Sequence, residues 1–138
     1  APARVKLGEP VWLVWQFSNT SSQELQFLVW GTPFDENWFA PYVRVQRDGT
    51  PLNYGGAMLK RGDPPADQYL SLAPGAHREA RVELGVAFDL RATGRYRVQP
   101  QIALHDLIRG GSALAPRPLS QHVRAALACK AVEFEVFR

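Results

Sequence analysis

Apolar and polar residues alternate with a period of two along much of the chain, the spacing of half-buried strands. In 11–18, Val11, Leu13, Trp15 and Phe17 share one face, and Trp12 and Val14 make the other face apolar at its start. That pattern predicts a central strand covered on both sides. A second strand is expected over 24–30, with Leu25, Phe27 and Val29 inward, after a turn at Asn19-Thr20-Ser21-Ser22. In the stretch 42–75, Val43 and Val45 oppose Arg44 and Gln46, and Asp48-Gly49 tolerate the positive φ of a two-residue hairpin turn. Counting outward from the turn, Arg47 faces Thr50 as the hydrogen-bonded pair and Gln46 faces Pro51 as the non-bonded pair. Pro51 then points its donorless nitrogen away from its partner, which suits an edge strand. The inner face would pair Val45 with Leu52 and Val43 with Tyr54.

Further strands are expected at Tyr69–Leu72, 79–84, 95–102 and 131–137, with Val132, Phe134 and Val136 on one side of the last. Pro74-Gly75 fits the centre of a type II turn, and 86–90 a single helical turn. Residues from about 105 to 124 lack a period and carry two glycines and two prolines, which predicts a long crossover loop. About seven short strands separated by turn signals, with no long helix, predict one all-β domain over 1–138. The expected architecture is an antiparallel, immunoglobulin-like β-sandwich. The Cys…Trp…Cys marker of antibody domains is missing, so the likeness concerns architecture. Trp15, Phe27, Val45, Val82, Val98 and Phe134 are expected in one core.

Composition narrows the function classes. At 138 residues the chain can bury roughly two-thirds of its unfolded surface without a disulfide, and its single cysteine, Cys129, forms no intramolecular bridge. The net charge of +3 comes from 16 basic residues spread over the whole length, not from a run that would mark a nucleic-acid footprint. No apolar run is long enough for a membrane helix, and no secretory leader is expected within these residues. The start, Ala1-Pro2-Ala3, is expected to be a mature or trimmed N-terminus, and if so an export signal would already be gone.

His77, His105 and His122 are scattered, with no His-Glu-x-x-His and no two histidines four apart, so no metal site is expected. Ser112 beside Gly110-Gly111 lacks the Gly-x-Ser-x-Gly elbow. Asp35-Glu36 are adjacent on a loop, where carboxylates point apart. Cys129 is expected to be a buried, inert thiol. Asn19-Thr20-Ser21 matches the N-glycosylation acceptor pattern, which matters only in a eukaryotic secretory setting. No catalytic residue and no cofactor follow from these patterns.

Two loops remain as candidate partner-binding segments. Thr32–Pro41 carries Phe34, Trp38 and Phe39, and 55–68 carries Lys60 and Arg61. Large aromatics in a Pro-flanked loop act either as a plug closing the end of a sandwich or as anchors for a partner.

The ordered combination of Trp30-x-Thr32-Pro33, Val45-x-Arg47-Asp48-Gly49, Tyr54-x-Gly56, Lys60-Arg61, Tyr69 and Leu72-Ala73-Pro74-Gly75 resembles the N-terminal domain of deuterolysin-like zinc endopeptidases, the aspzincin or M35 family. The Tyr96-x-Val98 and Val132-Glu133-Phe134 strands fit the same layout. The resemblance implies a propeptide-like region that precedes the peptidase, assists its folding and keeps it inactive. The zinc-binding His-Glu-x-x-His helix of the family is missing here. The expectation is a secreted or periplasmic, non-enzymatic domain that binds a zinc metallopeptidase in cis or in trans, with no nucleic acid and no membrane insertion. The alternative is an extracellular accessory or adhesion module for carbohydrate or a cell-surface partner. Aromatics in a row on one flat sheet face would favour that alternative.

Overall fold

The Asp48-Gly49 turn fixes the hairpin as its residue types demand. In a computed structural model, which describes residues 3–35, 38, 40–58, 64, 66–109, 122, 124–127 and 129–138, Asp48 has φ 49° and Gly49 φ 82°. These are the two positive values of a primed turn, whose twist matches that of the flanking strands. Strand β4 (Val43–Arg47) pairs with β5 (Thr50–Pro51) through Arg47↔Thr50 and Gln46↔Pro51. The Leu52 N–H donates to the Val45 carbonyl at 2.8 Å. Beyond it the chain leaves the ladder, and the Gly55 N–H donates to the Ala87 carbonyl at 2.7 Å.

The remaining strands are β1 (Arg4–Lys6), β2 (Trp12–Ser18), β3 (Leu25–Leu28), β6 (Tyr69–Leu72), β7 (His77–Glu83), β8 (Gly94–Pro100), β9 (Ile102–Leu104), β10 (Leu107–Arg109), β11 (Ala125–Leu127) and β12 (Val132–Phe137). Seven of the twelve described strands have four residues or more, and the other five have two or three. The fold is an all-β sandwich of antiparallel sheets. One sheet runs β1-β12-β8-β4-β5, with the proline-bearing β5 at its edge. A three-stranded sheet, β10-β3-β6, and two ribbons, β2-β7 and β9-β11, complete the described strands. The parallel pair is β1 with β12, in the register Arg4↔Glu135 to Lys6↔Phe137.

One apolar core joins these sheets. Val43, Val45, Tyr96, Val98, Phe134 and Val136 come from the five-stranded sheet, Leu13 and Trp15 from β2, and Phe27 and Leu28 from β3. Burying such a side chain contributes roughly 1.5–3 kcal/mol. Of the six expected core residues, five are buried, and Val82 is half-buried against the same cluster.

Several expectations need correction. β2 is not a central strand: among the described residues its ladder partner is β7, and Trp12 and Val14 are exposed at 41% and 57%. Two apolar residues on the outer face of a ribbon give the same sequence pattern as a covered strand. Val132 does not join Phe134 and Val136 inside, because β12 has only begun at that residue and 39% of it is exposed. The segment 95–102 breaks at Gln101, whose N–H donates to the Tyr42 carbonyl at 2.9 Å. The helical turn comes earlier, as a 3-10 turn over Leu84–Val86. The expected crossover loop includes β10, which pairs with β3.

Candidate partner-binding site

The loop after β3 opens with a tight turn held by Thr32. Its buried hydroxyl donates to the Val29 carbonyl at 2.5 Å and accepts from the Phe34 N–H at 3.2 Å. The turn sends Phe34 back against the sheet, half-buried and edge-on to Phe17, with ring centroids 4.8 Å apart and an interplanar angle of 90°. Trp38 takes the other course. It is only 5% exposed and lies on Tyr42, and its Nε1–H donates to the Glu83 carbonyl at the end of β7 at 3.0 Å. Phe88 meets Trp38 edge-on at 6.1 Å, and Tyr54 tilts against both. The two described aromatics of the loop therefore belong to different clusters, and Trp38 plugs the sandwich. Phe39, Lys60 and Arg61 lie outside the described residues.

Burial raises the Tyr42 hydroxyl pKa well above that of a free phenol, and Tyr54 and Asp35 add repulsion against a phenolate. The Tyr42 hydroxyl has no hydrogen-bond partner among the described residues. Burial also raises Tyr54, whose hydroxyl donates to the Ala57 carbonyl. On the surface the Arg91 side chain holds Asp89 down at about 2, through bonds of 2.9 and 3.1 Å.

A polar cluster that sequence spacing does not reveal sits near β10. The Tyr69 hydroxyl donates to Asp106 Oδ2 at 2.7 Å, and His122 Nε2 lies 3.9 Å from that oxygen and 3.5 Å from the hydroxyl. The three residues are too far apart in sequence to form a motif. Asp106 is completely buried. Among the described residues, no group of three or more His, Cys, Asp or Glu could hold a metal ion. Asn19 likewise points inward. Its Nδ2 donates to the Gln23 and Leu72 carbonyls at 2.8 and 2.9 Å, and its Oδ1 accepts from the Ser21 N–H and hydroxyl. That side chain is a tie between the turn before β3 and the end of β6, and the acceptor pattern around it coincides with this structural role.

The surface offers more to a partner. Trp12 projects from β2 with the Arg81 guanidinium 5.2 Å above its ring, and Val14 follows it. Cys129 is exposed, contrary to the expected buried thiol. It stands with Lys130 between β11 and β12, outside the alternation that would carry it inward.

No family model matches the chain. It is similar to an extracellular protease from Aeromonas hydrophila, 33% identical over 82 residues, which make up 59% of this chain and 23% of that protein. A neutral protease 2 homologue from Uncinocarpus reesii is 32% identical over 102 residues, 71% of this chain and 27% of the relative. Another from Coccidioides posadasii is 28% identical over 86 residues, with shares of 61% and 24%. The chain spans about a quarter of the length of the curated relatives it matches, and what it resembles is one segment of proteins named as proteases.

Proposed function

We propose that this chain is a non-catalytic, propeptide-like domain of a deuterolysin-type zinc endopeptidase system, which binds the peptidase and restrains or chaperones it outside the cell. The observation that carries the proposal is the partial match. Protease relatives align with the chain over about a quarter of their length, and the chain contains no His-Glu-x-x-His. The extracellular relative supports secretion. Among the described residues no helix is long and apolar enough to cross a membrane.

Contacts to the peptidase are proposed at the loops 32–41 and 55–68, through Phe34, Phe39, Lys60 and Arg61. The buried Trp38 supports the first loop from within, so its part is to hold the loop in shape. Trp12 is the one aromatic among the described exposed large apolar residues. A flat row of aromatics for stacking sugars is therefore missing there, and the protein-binding function is favoured over the carbohydrate module.

The test is to mix the folded chain with the peptidase domain of such an enzyme and follow casein hydrolysis and refolding yield. Saturable binding that slows hydrolysis or raises the yield is expected. A chain that does neither, both joined to the peptidase and added separately, rejects the function.

A further inference from the structure

Among the described residues strand β2 has one unpaired edge, and its phase follows from the hydrogen bonds at its two ends. The Leu84 N–H donates to the Val11 carbonyl at 2.8 Å, and the Asn19 N–H donates to the Ala76 carbonyl at 2.9 Å. With the register Leu13↔Val82, Trp15↔Ala80 and Phe17↔Arg78 between them, the odd-numbered residues turn their backbone groups toward β7. The N–H and C=O groups of Trp12, Val14, Gln16 and Ser18 therefore point away from β7, and no described strand pairs with them. The edge is seven residues long and regular, and it carries no proline or lysine. Those are the usual devices that keep an edge from pairing with another chain.

Two depressions of about 210 and 400 Å³ run beside this edge and share Trp15, Gln16 and Cys129 in their walls. Their floor is apolar, with Leu13, Phe27 and Leu104 among the lining side chains. The indole N–H of Trp15 is buried in this wall with no partner among the described residues. The charged residues lining the two depressions are Lys130 and Arg109, one in each, and no described carboxylate lines either.

We infer that the outer edge of β2 is a docking site for an extended peptide strand with alternating apolar side chains and a carboxylate toward each end. The peptide adds to β2 through the backbone groups of Trp12, Val14, Gln16 and Ser18, the mode in which main-chain bonds supply affinity and alternate side chains supply specificity. One face of the added strand covers the apolar depressions, the other lies beside Trp12 and Val14, and Lys130 and Arg109 meet the carboxylates. The inference rests on the proposed binding function only for the source of the peptide, a segment of the peptidase. The edge geometry stands apart from it.

The probe is a seven-residue peptide of alternating valine and threonine with a glutamate at each end, acetylated and amidated. A second peptide carries lysine at both ends. Amide hydrogen exchange read residue by residue should show new protection at Trp12, Val14, Gln16 and Ser18. Leu13, Trp15 and Phe17, already bonded to β7, should change little. The glutamate-ended peptide should bind more tightly than the lysine-ended one. Lys130→Glu, at an exposed position, should weaken it by about fivefold. Gln16→Pro removes an outward N–H that no described strand uses and should abolish binding; if it unfolds, Lys130→Glu still decides the matter.

Outward amides already protected in the free chain would mean the edge is paired internally, and the inference would fall. Protection that grows with protein concentration instead of peptide would assign the edge to a second copy and equally overturn it. Absence of protection, or a preference for the lysine-ended peptide, has the same consequence. A chain that binds the peptidase with these four amides still exchanging freely refutes this site and leaves the proposed function standing. One that takes the glutamate-ended peptide but ignores the peptidase does the reverse.

Discussion

The indole of Trp38 lies flat on the ring of Tyr42, with centroids 4.3 Å apart and planes within 6° of parallel. The stack ties a loop residue to the residue that leads into β4, and the Trp38–Glu83 hydrogen bond ties the same loop to β7. Trp38→Ala should lower stability by about 3–5 kcal/mol, the range for emptying a buried aromatic site. Chemical denaturation checks this, and an unshifted midpoint would show that the plug is dispensable. Trp38→Phe should retain much of the stability and lose the indole bond.

Tyr42 sets a limit at high pH. A phenol in the unfolded chain ionises near pH 10, whereas burial holds the native Tyr42 neutral to higher pH. The native state then keeps a proton that the unfolded state releases. The stabilisation is whole below pH 10 and declines as the pH climbs beyond it toward the native pKa. Tyr42→Phe should make that decline shallower, with part of the remainder due to Tyr54. Near neutral pH the same variant should be within about 1 kcal/mol of the parent or above it, since it removes a buried hydroxyl without a partner. Melting temperatures measured across the alkaline range provide the check.

Asn19→Ala removes four hydrogen bonds at one buried position. At about 1 kcal/mol net for each, the loss should reach several kcal/mol, with the Gln23 and Leu72 carbonyls left unpaired. Asn19→Asp should also destabilise, because a carboxylate offers those carbonyls no donor. A denaturation curve superimposable on the parent's for either variant would contradict this account.

Much of the fold is legible in the sequence because the strands carry their own punctuation. The register of β4 and β5 follows from one turn and one proline, and Pro74-Gly75 marks its turn through the φ of 78° at Gly75 and the Ala76-to-Ala73 bond of 3.0 Å. What the sequence conceals is of two physical kinds. A strand of three residues such as β10 is too short to show a period. A ribbon whose outer face carries Trp12 and Val14 reads like a buried strand, since hydrophobicity does not report what lies opposite. The Asp106, Tyr69 and His122 cluster is assembled by topology, with no spacing to betray it. Trp38 illustrates the same limit at the candidate site: its side chain had two plausible directions, and the Glu83 carbonyl that settles the matter lies 45 residues away.

Gly94 should not accept a side chain. Its φ is 150°, and an added Cβ would come within 2.6 Å of Asp48 Oδ2, on the carboxylate whose Oδ1 accepts from the Arg95 N–H at 2.9 Å. Gly94→Ala should therefore cost about 1–3 kcal/mol through backbone strain and the displaced bond. Asp48→Gly in the same chain should recover the steric share, so the two changes should be less than additive. Strict additivity in a double-mutant cycle would rule out the contact as the cause.

Zinc and proteolysis supply a chemical prediction. The isolated chain, prepared without a histidine tag, should hold no stoichiometric zinc and should not hydrolyse casein, because its three histidines lack the spacing of a zinc helix. One tightly held zinc per chain, measured by metal analysis, would overturn it.

The pairing of β1 with β12 bears on when this domain can fold. In the order β1-β12-β8 the strand latest in this sequence is not added at the rim but inserted between two others. Until residues 132–137 leave the ribosome, β1 lacks the neighbour that accepts it, and β8 lacks its partner on that side. Closing so long a stretch of chain before the sheet is rewarded slows folding. Early fragments thus carry two unjoined pieces of one sheet, and the domain completes itself only after synthesis has passed β12.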